Sequence, residues 1–205
     1  MEDGAAFVDA APPFGSGRVG KSYRLKILFG AYFKVWEGVP GTRIPSFCPE
    51  RHINGDESFC LGLEPFEYNV DGLVYFWAQL RSYLLCQQFA DVHGRWPAGR
   101  GLSHGNAAHD QIEAEGHAKQ AGLERSYRRA IEFGLGRLAG DLSGLSAKLD
   151  ADRATGRPRR DAFRKLVSAE MKRRAKDASF LGWSRTVGIP CCNTMRECPL
   201  RTEQK

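Results

Sequence analysis

Apolar and polar positions alternate most strictly between Ser22 and Phe29. Tyr23, Leu25, Ile27 and Phe29 fall on one side, and Ser22, Arg24, Lys26 and Leu28 on the other. A period of two over that length predicts a strand with one buried face. Gly30 interrupts it, an aromatic and β-branched run from Tyr32 to Glu37 resumes it, and Val39-Pro40-Gly41 reads as a turn. A second strand, antiparallel to the first, is therefore expected. Arg43 to Phe47 is compatible with a third short strand, stopped by Pro49 and the polar Glu50 and Arg51. Beyond residue 70 the period becomes helical: Asp71 is the expected cap, and Leu73, Phe76, Trp77, Leu80 and Leu84 form an apolar stripe that would cover one sheet face. Core packing is the reading for these aromatics, and Cys86, near the helix end, reads as a small buried hydrophobe.

The C-terminal half is patterned differently. His93 to Asn106 holds four glycines and a proline, which predicts a loop. Asn106 to Ala121 is helix-compatible but polar and carries Gly116 inside, so a marginal surface helix ended by Gly122 is expected. Glu124 to Leu138 carries a stripe of Tyr127, Ile131, Leu135 and Leu138, followed by Leu142, Leu145 and Leu149. Asp150 to Arg160 reads as a linker. A last helix is expected from Asp161 to about Ala178, with Phe163, Leu166, Val167 and Met171 inward and Arg164, Lys165, Lys172, Arg173 and Arg174 outward. Residues 1–20, rich in Gly, Ala and Pro, read as a flexible lead-in. The pattern as a whole predicts an α+β fold, a small antiparallel meander sheet covered by helices, with a C-terminal helical extension. The expected division is 1–20, 21–122 and 123–205.

Composition narrows this further. A chain of 205 residues suits a domain of ordinary size plus an appendage. No apolar run approaches the roughly 20 residues that span a bilayer, and the N-terminus begins acidic without the features of a signal peptide, so no membrane contact and a cytoplasmic location are expected. The six cysteines are unevenly spaced, which favours reduced thiols over a disulfide framework. Of the net charge of +6, the stretch from Leu123 to Arg174 carries more than all: 14 Lys and Arg stand against 7 Asp and Glu. Such a face is usually solvated, and docking to an acidic partner surface is the alternative. Nucleic acid is disfavoured, because no aromatic residues alternate with the basic ones to stack bases. In the tail, Cys191, Cys192 and Cys198 could join a zinc site only with a fourth ligand from elsewhere.

The chemistry concentrates in CPERHINGDESFCLGL, Cys48 to Leu63, where His52, Asn54 and Cys60 share one turn-rich stretch. A thiolate is the strongest side-chain nucleophile near neutral pH, and an amide N–H can stabilise the oxyanion formed when an amine attacks a thioester. His52-Ile53-Asn54, then Cys60-Leu61, resembles the His-Pro-Asn and Cys-Leu signature of ubiquitin-conjugating enzymes. Here Ile53 stands in the proline's place and only five residues separate Asn54 from Cys60. Trp96-Pro97 and Ser103-His104-Gly105 are similar to segments of compact bacterial members found in ubiquitin-like conjugation and phage-defence systems. The resemblance covers roughly residues 20 to 110. It implies a ubiquitin-conjugating-like fold in which Cys60 carries a ubiquitin-like protein as a thioester, Asn54 supports aminolysis and His52 shapes the loop. It also implies an activating enzyme acting in trans, since the chain has no phosphate-cradling glycine fingerprint, and it calls for no cofactor and no metal. His104, on the later loop, is a candidate to accept the amine's proton, with Asp91, His93 and Trp96 as lesser candidates for the same rim. Three other classes stay open: a zinc module using Cys48, His52 and Cys60 with Cys86 or a tail cysteine, a cysteine hydrolase pairing a thiolate with an imidazole, and a binding scaffold without activity.

Overall fold

A computed structural model describes residues 4–14, 16–30, 33–63, 66–142, 157–196 and 198–201, with the side chains of 157 and 158 excepted. The chain folds as two compact units. One comprises Met1–Gly101 with Ile189–Lys205, the other Leu102–Gly188.

The first unit is built on three antiparallel strands in the order β1 (Ala5–Ala10), β2 (Tyr23–Leu28) and β3 (Lys34–Glu37). Along β2 the alternation holds: Tyr23, Leu25 and Ile27 are fully buried, while Arg24 and Lys26 face solvent. Ile27 lies opposite Val35 of β3 and Ala6 of β1. β1 falls inside the stretch expected to be a flexible lead-in. Its composition, AAFVDA, carries little strand preference of its own, and pairing with β2 decides its state.

The strand expected at Arg43 to Phe47 does not form. Glu37, only 6% exposed, accepts the backbone N–H groups of Thr42 at 3.0 Å, Arg43 at 2.8 Å and Ile44 at 3.2 Å. The amides that a third strand would have offered to a ladder are held by one carboxylate instead.

Helix α1 (Val70–His93) packs against Phe29 and Phe33 at the strand ends and against the loop that follows the sheet. Its cap is Asn69, whose side chain accepts the Gly72 N–H at 2.7 Å, and not Asp71, which lies in the first turn. The buried face runs through Phe76, Leu80, Tyr83, Leu84, Gln87 and Ala90. Leu73 and Trp77, expected inward, are 38% and 42% exposed, and the buried face instead carries Tyr83 and Gln87, which meet Phe59 and Arg51 of the loop. Phe76 packs edge-on against Phe33 with ring centres 5.1 Å apart, and Cys86 is buried as expected. The tail belongs to this unit. Met195, Cys198 and Leu200 are buried, and the Arg196 N–H donates to the Gly94 carbonyl at 2.7 Å.

The second unit holds α2 (Ala107–Ala121), α3 (Glu124–Phe133) and α4 (Arg157–Thr186). α2 ends at Gly122 as expected, in the left-handed conformation at φ 71°. It is not a marginal surface helix, however: Ala107, Ala108, Ala114 and Ala118 bury a face of small residues that lets a neighbouring helix come close. α3 stops at Gly134, so Leu135 is 50% exposed while Leu138 is buried. Leu145, Leu149 and most of the expected linker lie outside the described residues. α4 begins before Asp161 and runs past Ala178. Phe163, Leu166 and Val167 are buried, but Met171 is 50% exposed, and its expected place is filled by Ala169 and Glu170.

Arg173 and Arg174 are not simply solvated. Both grip the buried Glu170, at 2.6 and 2.7 Å, Tyr127 donates to the same carboxylate at 2.7 Å, and Arg174 also reaches the carbonyls of Leu138 and Gly140. Burial pushes the Glu170 carboxyl up, but these donors outweigh it and hold it below the ordinary glutamate value. Among the described residues, no helix is long and apolar enough to cross a membrane.

Candidate active site

The loop after the sheet is held by its own backbone. Cys48 opens a single 3-10 turn, Pro49–Arg51, and His52 then turns the chain in the left-handed region at φ 55°. Ile53, buried, bridges to both Cys48 and Phe59. The Asn54 N–H donates to the Ser58 carbonyl at 2.8 Å, and the Cys60 N–H to the His52 carbonyl at 2.8 Å. Phe59 N–H donates to the Val35 carbonyl at 2.8 Å, which ties the loop to β3. Residues 52 to 60 thus form a closed lobe whose two ends, His52 and Cys60, are hydrogen-bonded neighbours.

The base of the lobe is braced by a residue whose role was not apparent from the sequence. Arg51 is only 1% exposed. Its guanidinium donates to the Gln87 side chain at 2.7 Å, the Gln87 carbonyl at 3.2 Å, Asp91 at 2.6 Å and Thr194 Oγ1 at 3.3 Å. Its own carbonyl accepts from Gln87 Nε2 at 2.9 Å and the Tyr83 hydroxyl at 3.2 Å. A buried cation is tolerable only with this degree of pairing. The available signal was Gln87, a polar residue that interrupts the buried side of α1 and therefore calls for a partner.

His52 lies beneath an aromatic cover. Its ring centre is 4.9 Å from that of Trp96, which is itself 5.8 Å from Tyr83. A Cβ at Gly101 would come within 2.8 Å of His52 Nε2, so glycine is what lets the chain pass there. Asn54 is solvent-exposed, and its amide donates to Ser58 Oγ at 3.0 Å. Ser58 in turn donates to Asp56, whose carboxylate also pairs with Lys34 at 2.8 Å. Burial pushes the Asp56 carboxyl up, but the hydrogen bonds from Lys34 and Ser58 prevail and hold it below the usual value.

Cys60 is half-buried, at the end of the lobe. Burial raises its thiol above the ordinary value, partly offset by a hydrogen bond from the Gly62 N–H. It is thus mostly protonated near neutral pH and must lose a proton before it attacks. Phe59, next to it, stacks on Tyr83 at 4.7 Å, giving the thiol an apolar flank.

The other candidates have partners of their own. His104 belongs to the second unit, where its N–H donates to Asp177 at 3.1 Å and its ring lies 5.3 Å from Phe180. Asp91 is committed to Arg51 and Lys21. His93 lies 4.2 Å from Phe89. All six cysteines are free thiols, and among the described residues no group of three or more His, Cys, Asp or Glu side chains is arranged to hold a metal ion.

Residues 2–98 match a family model described as "Prokaryotic E2 domain", the conjugating class to which the His-x-Asn and Cys-Leu pattern is similar. The match spans the sheet, the lobe and α1, a little under half of the chain, and supports a bacterial E2-like family. No curated protein and no solved structure matches the chain.

Proposed function

We propose that the first unit is a ubiquitin-conjugating-like thioester carrier. Cys60 Sγ, once deprotonated, attacks the activated C-terminal carbonyl of a ubiquitin-like protein delivered by an activating enzyme. The enzyme's thiolate leaves, and the acyl group passes to Cys60. An amine acceptor then adds to that thioester, Cys60 departs as thiolate and an amide forms. The observation that carries this reading is the half-exposed thiol on a closed lobe beginning at His52-Ile53-Asn54, inside the segment that matches the prokaryotic E2 model.

Each of the three residues then has a distinct task. Cys60 carries the acyl group. Asn54 donates its amide to the oxyanion that forms during aminolysis, at a position where its own N–H to Ser58 already fixes the side chain. His52 holds the lobe's shape under Trp96 and takes no part in proton transfer. The reading rests on the first unit alone, so His104 carries no step in it. A role in antiphage conjugation follows from the resemblance to bacterial defence members. Incubation with an activating enzyme, ATP and a ubiquitin-like protein should give an adduct on a non-reducing gel that disappears with dithiothreitol and is absent in Cys60→Ala. A wild-type protein that forms no thiol-sensitive adduct refutes the proposal.

A further inference from the structure

Away from Cys60, reactive side chains also meet where Cys48 approaches the tail. Cys48 Sγ and Cys192 Sγ lie 3.1 Å apart, and Cys192 Sγ is also 3.1 Å from Thr194 Oγ1. Their approach is built into the first unit. The tail is anchored by the buried Met195, Cys198 and Leu200, Arg201 donates to the Met195 carbonyl at 2.8 Å, and the same Arg51 that braces the lobe reaches Thr194. A disulfide has sulfurs about 2.05 Å apart, roughly 1 Å closer than these. Cys192 is half-buried and Cys48 is 2% exposed, so a reagent from solvent meets Cys192 first.

The geometry points to a second thiol site: Cys48 and Cys192 are a dithiol that takes a peroxide-class oxidant and closes to a disulfide, stapling the tail to the foot of the Cys60 lobe. The Cys192 thiolate attacks one peroxide oxygen, the O–O bond breaks, and Cys192 becomes a sulfenic acid as the other oxygen leaves as hydroxide. The Cys48 sulfur then attacks the Cys192 sulfur, the S–O bond breaks, and the second oxygen leaves as water. Two thiols lose two electrons and two protons, and hydrogen peroxide is reduced to two waters.

Chemical selectivity follows from the surroundings. The Cys48 thiol, and to a smaller extent Thr194 and the Arg51 charge, pull Cys192 down against its burial, while the same contact and burial push Cys48 up, so the more exposed sulfur of the pair is the one that ionises first. Burial pushes Cys60 up and Cys198 up to about 11, leaving both protonated and slow. The bond would fix the residue whose carbonyl accepts the N–H groups of Arg51 and Ile53, and so the start of the lobe. This site does not depend on the acyl-carrier reading of Cys60.

The test uses the full chain, reduced, exposed to hydrogen peroxide, alkylated and digested with trypsin without reductant. Peptide 44–51 should be joined to peptide 186–196 with a mass short by two hydrogens, and dithiothreitol should separate them. The link should persist in Cys191→Ser and vanish in Cys192→Ser. A link to peptide 197–201 in the wild type, a link that survives in Cys192→Ser, thiols oxidised singly without any link, or a zinc ion bound by these cysteines that shields them from peroxide would each overturn the proposal.

Discussion

Each unit holds a buried charge that gathers several partners, Arg51 in the first and Glu170 in the second, and the two have opposite sign. In the first, Arg51 spends its donors on Gln87, Asp91 and Thr194, and its carbonyl accepts from Tyr83 and Gln87. All of this immobilises the start of a loop. In the second, Glu170 collects Tyr127, Arg173 and Arg174, and Arg174 passes on to the carbonyls after α3. That network joins helices and presents no reactive side chain. The difference lies in what each network holds: the first ties a loop to a helix, the second ties helix to helix.

The sharpest way to break the comparison is to remove each centre. Arg51→Met should cost about 3 kcal/mol by leaving the buried Gln87 side-chain oxygen without its donor and Asp91 with Lys21 alone. It should also abolish Cys60 loading, measured by denaturant unfolding alongside the thioester assay. Glu170→Gln should destabilise the helical unit by roughly 3 kcal/mol, since Arg173 and Arg174 lose the buried carboxylate that pairs them, yet leave Cys60 loading intact. Loss of loading in Glu170→Gln would erase the proposed distinction. Because Glu170 is held below its ordinary value of about 4.3, its contribution is complete above that pH and is lost as pH falls through the lower folded value. Acid should therefore melt the helical unit in the wild type and shift its midpoint far less in Glu170→Gln, as circular dichroism would report.

Smaller effects sharpen the picture within the first unit. Asn54→Ala should load normally and discharge to free lysine about 100-fold more slowly, the typical loss for one oxyanion donor. Equal discharge rates would remove Asn54 from the mechanism. With Cys60 raised by burial, the thiolate fraction, and hence the loading rate in single-turnover assays, should climb about tenfold per pH unit from 7 and continue to rise beyond the ordinary cysteine value of about 8.5.

What the sequence revealed and what it hid have a common physical explanation. β2 was legible because Tyr23, Leu25 and Ile27 alternate with charged residues over a half-buried face, a local property. β1 was not, because an Ala-rich segment becomes a strand only through its partner. The expected third strand was lost to Glu37, a carboxylate whose effect on three downstream amides appears only after the turn has folded. In α1 the periodicity found the helix but not the direction of its face, since Gln87 is buried by its pairing with Arg51 while Leu73 and Trp77 remain outside. Within the lobe, His52, Asn54 and Cys60 were visible as reactive types on a turn-rich stretch. Arg51 was not, because its partners lie 36 and 40 residues further on. The same distance hid the approach of Cys192 to Cys48, 144 positions apart.

The most direct measurement is to locate the acyl group. The loaded protein, isolated without thiols and digested with trypsin, should carry the remnant of the ubiquitin-like C-terminus on peptide 52–81, whose single cysteine is Cys60. A remnant on peptide 44–51 or on the tail, or an adduct that is not a thioester, would contradict the account.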